Sequence, residues 1–293
     1  MASVQQLKSR IKSVNSTKQI TRAMQLVAAS KMRRAIERAV SAHDYIYAAR
    51  DLFIYLSEIC HTDRHPLFIR RPIKNRLLVV ISSDTGLAGA YNSNVFKKYI
   101  FELKRDRDRN VNTDTLAIGR KISQFASRLE GNNVIGTYER LPEDLAHAEF
   151  GSLFNIILDG YKTEKYDAID VIYTKFNSSI SQEVRMHYLL PMGHAPGDED
   201  FKQSYTVADY IKFEPRPGEV LDFVADRLAQ ADIVHFLSES LASEHSMRMM
   251  AMKNATDNAS SLSDDLTLAM NKERQAAITQ ELSEISAGAE AVS

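Results

Sequence analysis

The chain has 293 residues, with 37 basic and 38 acidic side chains, a formal net charge of −1 and 44% hydrophobic residues. That balance excludes a disordered chain and provides no global charge with which to hold nucleic acid. The single cysteine, Cys60, excludes an internal disulfide, no Cys/His cluster has zinc spacing, and no apolar run approaches the ~20 residues of a membrane-spanning helix.

All seven prolines lie between Pro66 and Pro217, and ten of the eleven glycines between Gly86 and Gly218. Residues 1–65 and 219–287 therefore hold no helix breaker. Turns need those residue types, so each run reads as one long helix of roughly 90–100 Å. In the first run Val4, Leu7, Ile11 and Val14 step by three and four, and Met24, Val27, Ala28, Met32, Ala35, Ile36 and Ala39 resume the stripe after a phase slip around Lys18 and Thr21. In the last run Leu221, Val224, Leu228, Ala231, Val234, Leu237 and Leu241 form a heptad-like series, resumed by Leu262, Leu266, Ala269, Ile278, Leu282 and Ile285. A helix this long cannot cover its apolar stripe on a compact core, so a coiled coil or a partner must do so. Residues 1–40 carry nine basic groups and one acidic group, whereas residues 219–293 carry thirteen acidic and five basic groups. The opposite signs favour pairing of the two ends, and two separate solvated helices remain the alternative. The basic, acid-poor start also has the composition of a transit peptide or of a nucleic-acid- or lipid-binding helix, but its apolar stripe reads as a packing seam.

Between them, residues 66–217 alternate short apolar runs with turn signals. Strands are predicted at Arg76–Ser82, Asp114–Gly119, Asn133–Glu139, Asp167–Phe176 and Gln182–Leu190. Helices are predicted over Ser93–Asp108, Arg120–Glu130 and Glu143–Lys165, with a loop over Gly197–Gln203. This order defines a Rossmann-like α/β domain with a mostly parallel sheet, the last pairing being a candidate antiparallel one. The domain expectation is thus 1–65, 66–217 and 218–293, with Glu214–Glu219 as the second boundary.

Chemistry is sparse. The turn Gly86-Leu-Ala-Gly89 after the first strand is neither a dinucleotide fingerprint nor a P-loop, and reads as a tight turn with Asn92 or Ser93 as helix cap. Asp84 stands where an α/β catalytic acid would sit, without a second acid or histidine assignable beside it. His61 and His65 have helical metal-ligand spacing with only Asp63 nearby, and read better as solvated groups at a helix end. Cys60 reads as a small apolar filler. No catalytic residue, cofactor site or metal site follows, so the chain is not expected to be an enzyme.

Three segments carry a resemblance. Ile11–Ala35 (IKSVNSTKQITRAMQLVAASKMRRA) and Ser243–Ala291 (beginning SEHSMRMMAMKNATDN and containing NKERQAAIT) resemble the N- and C-terminal signatures of the gamma subunit of F-type ATP synthases. Ser82–Asn94 (SSDTGLAGAYNSN) is similar to that family's central strand-turn segment.

The resemblance implies a non-catalytic rotor shaft. The terminal helices would form an antiparallel coiled coil inside a hexamer of alpha and beta subunits. The α/β domain would lie beside the epsilon subunit and on the c-subunit ring, coupling proton or sodium flow to ATP synthesis or hydrolysis. By the same resemblance Arg274, Gln275 and Thr279 would contact a beta subunit, with Arg248 and Met24 as further stator contacts. Many family members have a cysteine within the turn Leu87-Ala88-Gly89, where this chain has Ala88, and the paired-cysteine insertion of chloroplast forms is absent, which argues against thiol control. The expected location is peripheral, on the cytoplasmic face of a bacterial inner membrane, or on the matrix or stroma side of an organellar one.

Overall fold

A computed structural model describes residues 4–60, 62, 65–140, 142, 150–192 and 213–290. Both breaker-free runs are helices: α1 spans Val4–Ile59 and α5 spans Pro217–Glu290. Between them lie β1 (Asn75–Ile81), α2 (Tyr91–Asp108), β2 (Asn112–Ile118), α3 (Arg120–Ala126), β3 (Asn133–Tyr138), α4 (Gly151–Lys162), β4 (Ala168–Phe176) and β5 (Gln182–Leu190). The chain separates into two compact units, residues up to 29 with those from 248 onward, and residues 30–247. The division therefore falls inside the long helices, not at their ends.

In the smaller unit the helices meet through Asn15 and Ser263, Lys18 and Ser260, and Thr21 and Thr256. Numbers rise on one helix as they fall on the other, so this pair is antiparallel. On α1 the seam positions Val4, Leu7, Ile11, Val14, Lys18, Thr21, Gln25 and Ala28 alternate by three and four without a break, with Met24 and Ala29 half-buried beside them. The expected phase slip is absent: Lys18 and Thr21 occupy seam positions with polar groups, and Val27, assigned to the stripe, is 55% exposed. Lys18 and Thr21 are tolerated in the seam because each finds a cross-helix partner; the Thr21 and Thr256 hydroxyls are 2.8 Å apart and buried. The matching series on α5 is Met252, Thr256, Ala259, Ser263, Leu266, Met270 and Glu273.

In the larger unit the sheet order is β3-β2-β1-β4-β5, parallel except for the antiparallel β4–β5 pair. Alternation divides β1 between two cores: Leu77, Val79 and Ile81 point to one face, Leu78 and Val80 to the other. The first face is covered by α4 (Leu153, Ile157, Tyr161) together with Phe53 and Leu56 of α1 and Leu221, Ala225, Ile233 and Phe236 of α5. The second is covered by Val95 and Tyr99 of α2 and Ile122 and Ala126 of α3. Here charge does pair the long helices, since Arg50 of α1 donates to Asp232 of α5 at 2.8 Å.

Some boundaries differ from the expected ones. Helix α3 stops at Ala126, not Glu130, because the Asn132 side-chain amide donates to the Ala126 carbonyl at 3.1 Å and takes the acceptor a longer helix would use. Helix α2 starts at Tyr91 with Ala90 as its cap residue. Leu87 and Gly89 both have positive φ and turn the chain early, while the Asn92 side-chain Oδ1 accepts the Ser83 N–H and so caps no helix. The described part of α4 begins at Gly151, and the expected helical start at 143–149 and the loop at 197–203 lie outside the described residues.

Candidate functional site

In a sheet of this order the ligand crevice lies beyond the carboxyl ends of β1 and β4, where the strand order reverses. Beside it, at the carboxyl end of β2, the chain's own groups occupy the donors at the start of α3. The Asp84 carboxylate accepts the Arg120 N–H at 2.9 Å, the Ser83 carbonyl that of Lys121 at 3.0 Å, and the Ser82 hydroxyl oxygen that of Ile122 at 2.9 Å. These are the N–H groups a phosphate would use at the start of α3. Asp84, the residue in a catalytic acid's place, thus serves as a cap.

The other side of the crevice is filled by α5. The last β1–β4 pairing is Val80 with Ile172, so the main chain of Thr174 and Phe176 has no β1 partner. The Thr174 N–H donates to the Ser240 hydroxyl oxygen at 3.3 Å, and the Ser243 hydroxyl donates to the Thr174 carbonyl at 3.1 Å. The Glu239 carboxylate faces the Phe176 N–H, which draws its pKa down. One turn further, the Ser246 hydroxyl donates to the Ser179 carbonyl at 2.8 Å and accepts from the Gln182 amide. Sequence reading missed these four α5 residues. Serine and glutamate at helical spacing look like a solvated face, and only their coincidence with Leu237 and Leu241 on the same turns hinted at burial.

Glu239 is 9% exposed, and burial pushes its carboxyl up to about 7 against the opposing pull of Lys175, Arg185 and the Phe176 N–H. A carboxyl raised on folding is destabilising once ionised. Its contribution is therefore fully favourable below the unfolded value of 4.5 and is lost as pH rises to about 7. The stability of Glu239→Gln minus that of the native chain is expected to grow by roughly 3 kcal/mol between pH 4.5 and 8. Urea unfolding of both chains across that range checks it, and a flat difference would show that the carboxyl ionises freely.

The histidine and cysteine are structural. His65 is buried, not solvated: its Nε2 donates to Asp222 at 2.8 Å, its Nδ1 accepts the Leu67 N–H, and burial holds its pKa below the ordinary value. His61 and Asp63 lie outside the described residues, and among the described residues no group of three metal-ligating side chains comes together. Cys60 packs against the core, with its thiol pKa raised chiefly by burial.

The residues singled out by resemblance fall in the smaller unit, in three different settings. Glu273 is the last half-buried position on α5, and Arg274, Gln275 and Thr279 are exposed. The pairing of residue 21 with 256 and of 15 with 263 puts Val4 opposite about residue 274. From there α5 continues past the first described residue of α1, and residues 274–286 are all exposed. Leu268, Ile278, Leu282 and Ile285 form an exposed apolar stripe with Gln275 among them. Leu268 lies two residues from both Leu266 and Met270 of the seam, roughly 200° around the helix, so this stripe faces away from α1. The Thr279 hydroxyl donates to the Gln275 carbonyl at 2.9 Å, leaving its oxygen as an acceptor, while Arg274 and the Gln275 amide offer donors. Met24 is half-buried beside the α1 seam, and Arg248 is only 8% exposed.

Two long helices bracketing an α/β domain whose ligand crevice is filled by its own helix define a scaffold subunit with an outward-facing helical tip. Residues 3–292 match the model of a protein family described as ATP synthase. The ATP synthase gamma chains of Xylella fastidiosa (strain M12) and Haemophilus influenzae (strain PittEE) are each 37% identical over 293 residues, covering the whole of both chains. That of Legionella pneumophila (strain Corby) is 36% identical over 292 residues, again at full coverage. Among solved structures, a chain of the Euglena gracilis mitochondrial ATP synthase matches 99% of this chain and 94% of its own, with a TM-score of 0.66 at 18% identity. A chain from the central stalk and c-ring structure of the Tetrahymena thermophila enzyme matches 80% and 99%, with a TM-score of 0.57 at 24% identity, and both likenesses concern the fold. The chain belongs to the ATP synthase gamma-chain family, that of the non-catalytic rotor subunit of the F-type enzyme. No described helix is long and apolar enough to cross a membrane.

Proposed function

We propose that this chain is the shaft of its complex: the α1–α5 coiled coil turns inside a hexamer of alpha and beta subunits, while the α/β domain sits on the c-subunit ring beside the epsilon subunit. The observation that carries the reading is the tip of α5, which extends past α1 with a polar cluster beside a stripe of exposed apolar groups. Such a surface suits repeated, differential contact with a ring of sites, and differential contact is all that coupling requires. Arg274, Gln275 and Thr279 supply hydrogen bonds to one beta subunit in one rotary state. Met24 makes a further contact beside the α1 seam. Arg248, 8% exposed on α5, is the second of these further stator contacts. The three-part organisation assigned from sequence serves this division of labour, the terminal helices as shaft and residues 66–217 as base. The side of the membrane is the cytoplasmic one in a bacterium.

Co-assembly tests the reading. Mixed with alpha and beta subunits of the same source, the chain is expected to enter a defined complex, one copy per hexamer, and to raise MgATP hydrolysis well above that of alpha and beta alone. Failure to co-migrate would overturn it. Within the assembled enzyme, Arg274→Ala with Gln275→Ala is expected to lower ion pumping per ATP hydrolysed several-fold. Stability should stay within about 0.5 kcal/mol, because both side chains are exposed. Unchanged coupling in that variant would remove the assigned contact and leave the shaft in place.

A further inference from the structure

A shaft must be fixed to its base against turning. Apolar packing alone does this poorly, since it is non-directional and a helix can roll within its groove. Hydrogen bonds have direction, and α5 makes a series of them with the sheet. Glu239, Ser243 and Ser246 stand at i, i+4 and i+7 on one face, with Ser240 beside them. Ser243, Ser246 and Ser240 engage the Thr174 carbonyl, the Ser179 carbonyl and Thr174 N–H respectively, and Glu239 faces the Phe176 N–H. Thr174 is 2% exposed and Ser240 and Ser243 are buried, so the Thr174 N–H and carbonyl have no water to turn to if the helix rotates. The adjoining contact, Phe236 stacked on Tyr173 at 4.4 Å, is apolar and lies one turn earlier on α5.

We propose that Glu239, Ser240, Ser243 and Ser246 form a rotational key between α5 and the carboxyl end of β4, through which torque passes between the sheet domain and the helix. The inference rests on the shaft reading. A roll of α5 by one residue, roughly 100°, would carry every one of these side chains off its partner at once. The four are positioning residues; none touches a reacting group.

The test uses the assembled ATP synthase carrying Ser240→Ala with Ser243→Ala. The control is Ser238→Ala, whose hydroxyl donates to the Val234 carbonyl of its own helix at 2.9 Å and keys nothing. Angular fluctuation of a bead on the rotor, with the stator held, reads torsional stiffness, and ion pumping per ATP reads coupling. The double variant is expected to hydrolyse ATP at nearly the native rate, while its fluctuations widen and its pumping per ATP falls, both several-fold, with the control unchanged. Stiffness and pumping equal to native in the double variant would overturn the proposal, because a merely structural role lowers thermal stability without altering the stiffness of assembled molecules. Should the double variant not assemble, Ser240→Ala alone, which removes the acceptor for Thr174 N–H, carries the same readings. Failure of the shaft reading would show separately, as a native chain that neither joins alpha and beta subunits nor stimulates their hydrolysis.

Discussion

Replacing Arg76 with methionine is expected to unfold the sheet domain or to cost about 3–5 kcal/mol, the range found when one partner of a buried ion pair is removed. Arg76 is 3% exposed at the start of β1. Its guanidinium donates through Nη1 to both oxygens of Asp106 on α2, at 2.8 and 2.9 Å, and through Nε to Asp170 on β4. Glu102 lies 3.7 Å away and is itself held by Lys98 and Arg105 at 2.9 and 2.8 Å. Removing the cation strands two buried carboxylates. Burial already pushes Asp170 up to about 6 even with the guanidinium present, and without it Asp170 should bind a proton more readily. The variant should therefore recover part of its stability as pH falls from 7 to 5, opposite to ordinary acid denaturation. The triple change Arg76→Met, Asp106→Leu, Asp170→Val should restore much of the loss, since an apolar trio of similar volume needs no counter-charge. Urea unfolding at the two pH values decides the matter, and an Arg76→Met domain of native stability would show that the cluster contributes nothing net.

A second large effect is expected at Gly119, which joins β2 to α3 with φ of 100°. A Cβ there would stand 2.3 Å from the Ser82 carbonyl oxygen and 2.8 Å from its carbon, both main-chain atoms that cannot swing aside. Ser82 is tied by its own N–H to Ile118, and the Gly119 N–H donates to Tyr138 at 2.7 Å, so relief of the clash must open the end of the sheet. Gly119→Ala should cost about 3–5 kcal/mol, combining backbone strain with overpacking. Gly86→Ala is the matched control: a Cβ there meets nothing within 4 Å, and the change should be neutral or stabilising by up to about 1 kcal/mol. Thermal melts of the two variants should differ accordingly, and equal melting temperatures would mean that the β1 and β2 ends are looser than their hydrogen bonds imply.

Much of the architecture was legible in residue types. The absence of glycine and proline from both ends marked two helices to within a few residues, because no other secondary structure runs so long without a turn. The five strands announced themselves as β-branched runs between breakers, and β5 was delimited at both ends as found. The seam was less legible. Hydrophobicity lost it at Lys18 and Thr21, although the geometry continues there, since a heptad position is defined by spacing and can hold any group whose partner lies across the interface. The tip residues came from resemblance, and their exposure follows from α5 running on past Val4.

The linear sequence by itself determined the kind and order of the elements and the membership of the family, because periodicity, breakers and long motifs are local properties. Tertiary structure alone decided which polar groups became structural. Asp84, Glu239 and the α5 serines look in sequence like an acid, a surface charge and a hydrophilic helix face. They acquire their roles from where β1 stops: with the last β1–β4 pair at Val80 and Ile172, main-chain donors and acceptors beyond it need partners, and α3 and α5 arrive to satisfy them. Buried hydrogen-bonding demand depends on which backbone groups are left over once the sheet has formed, and no local pattern along the chain encodes that remainder.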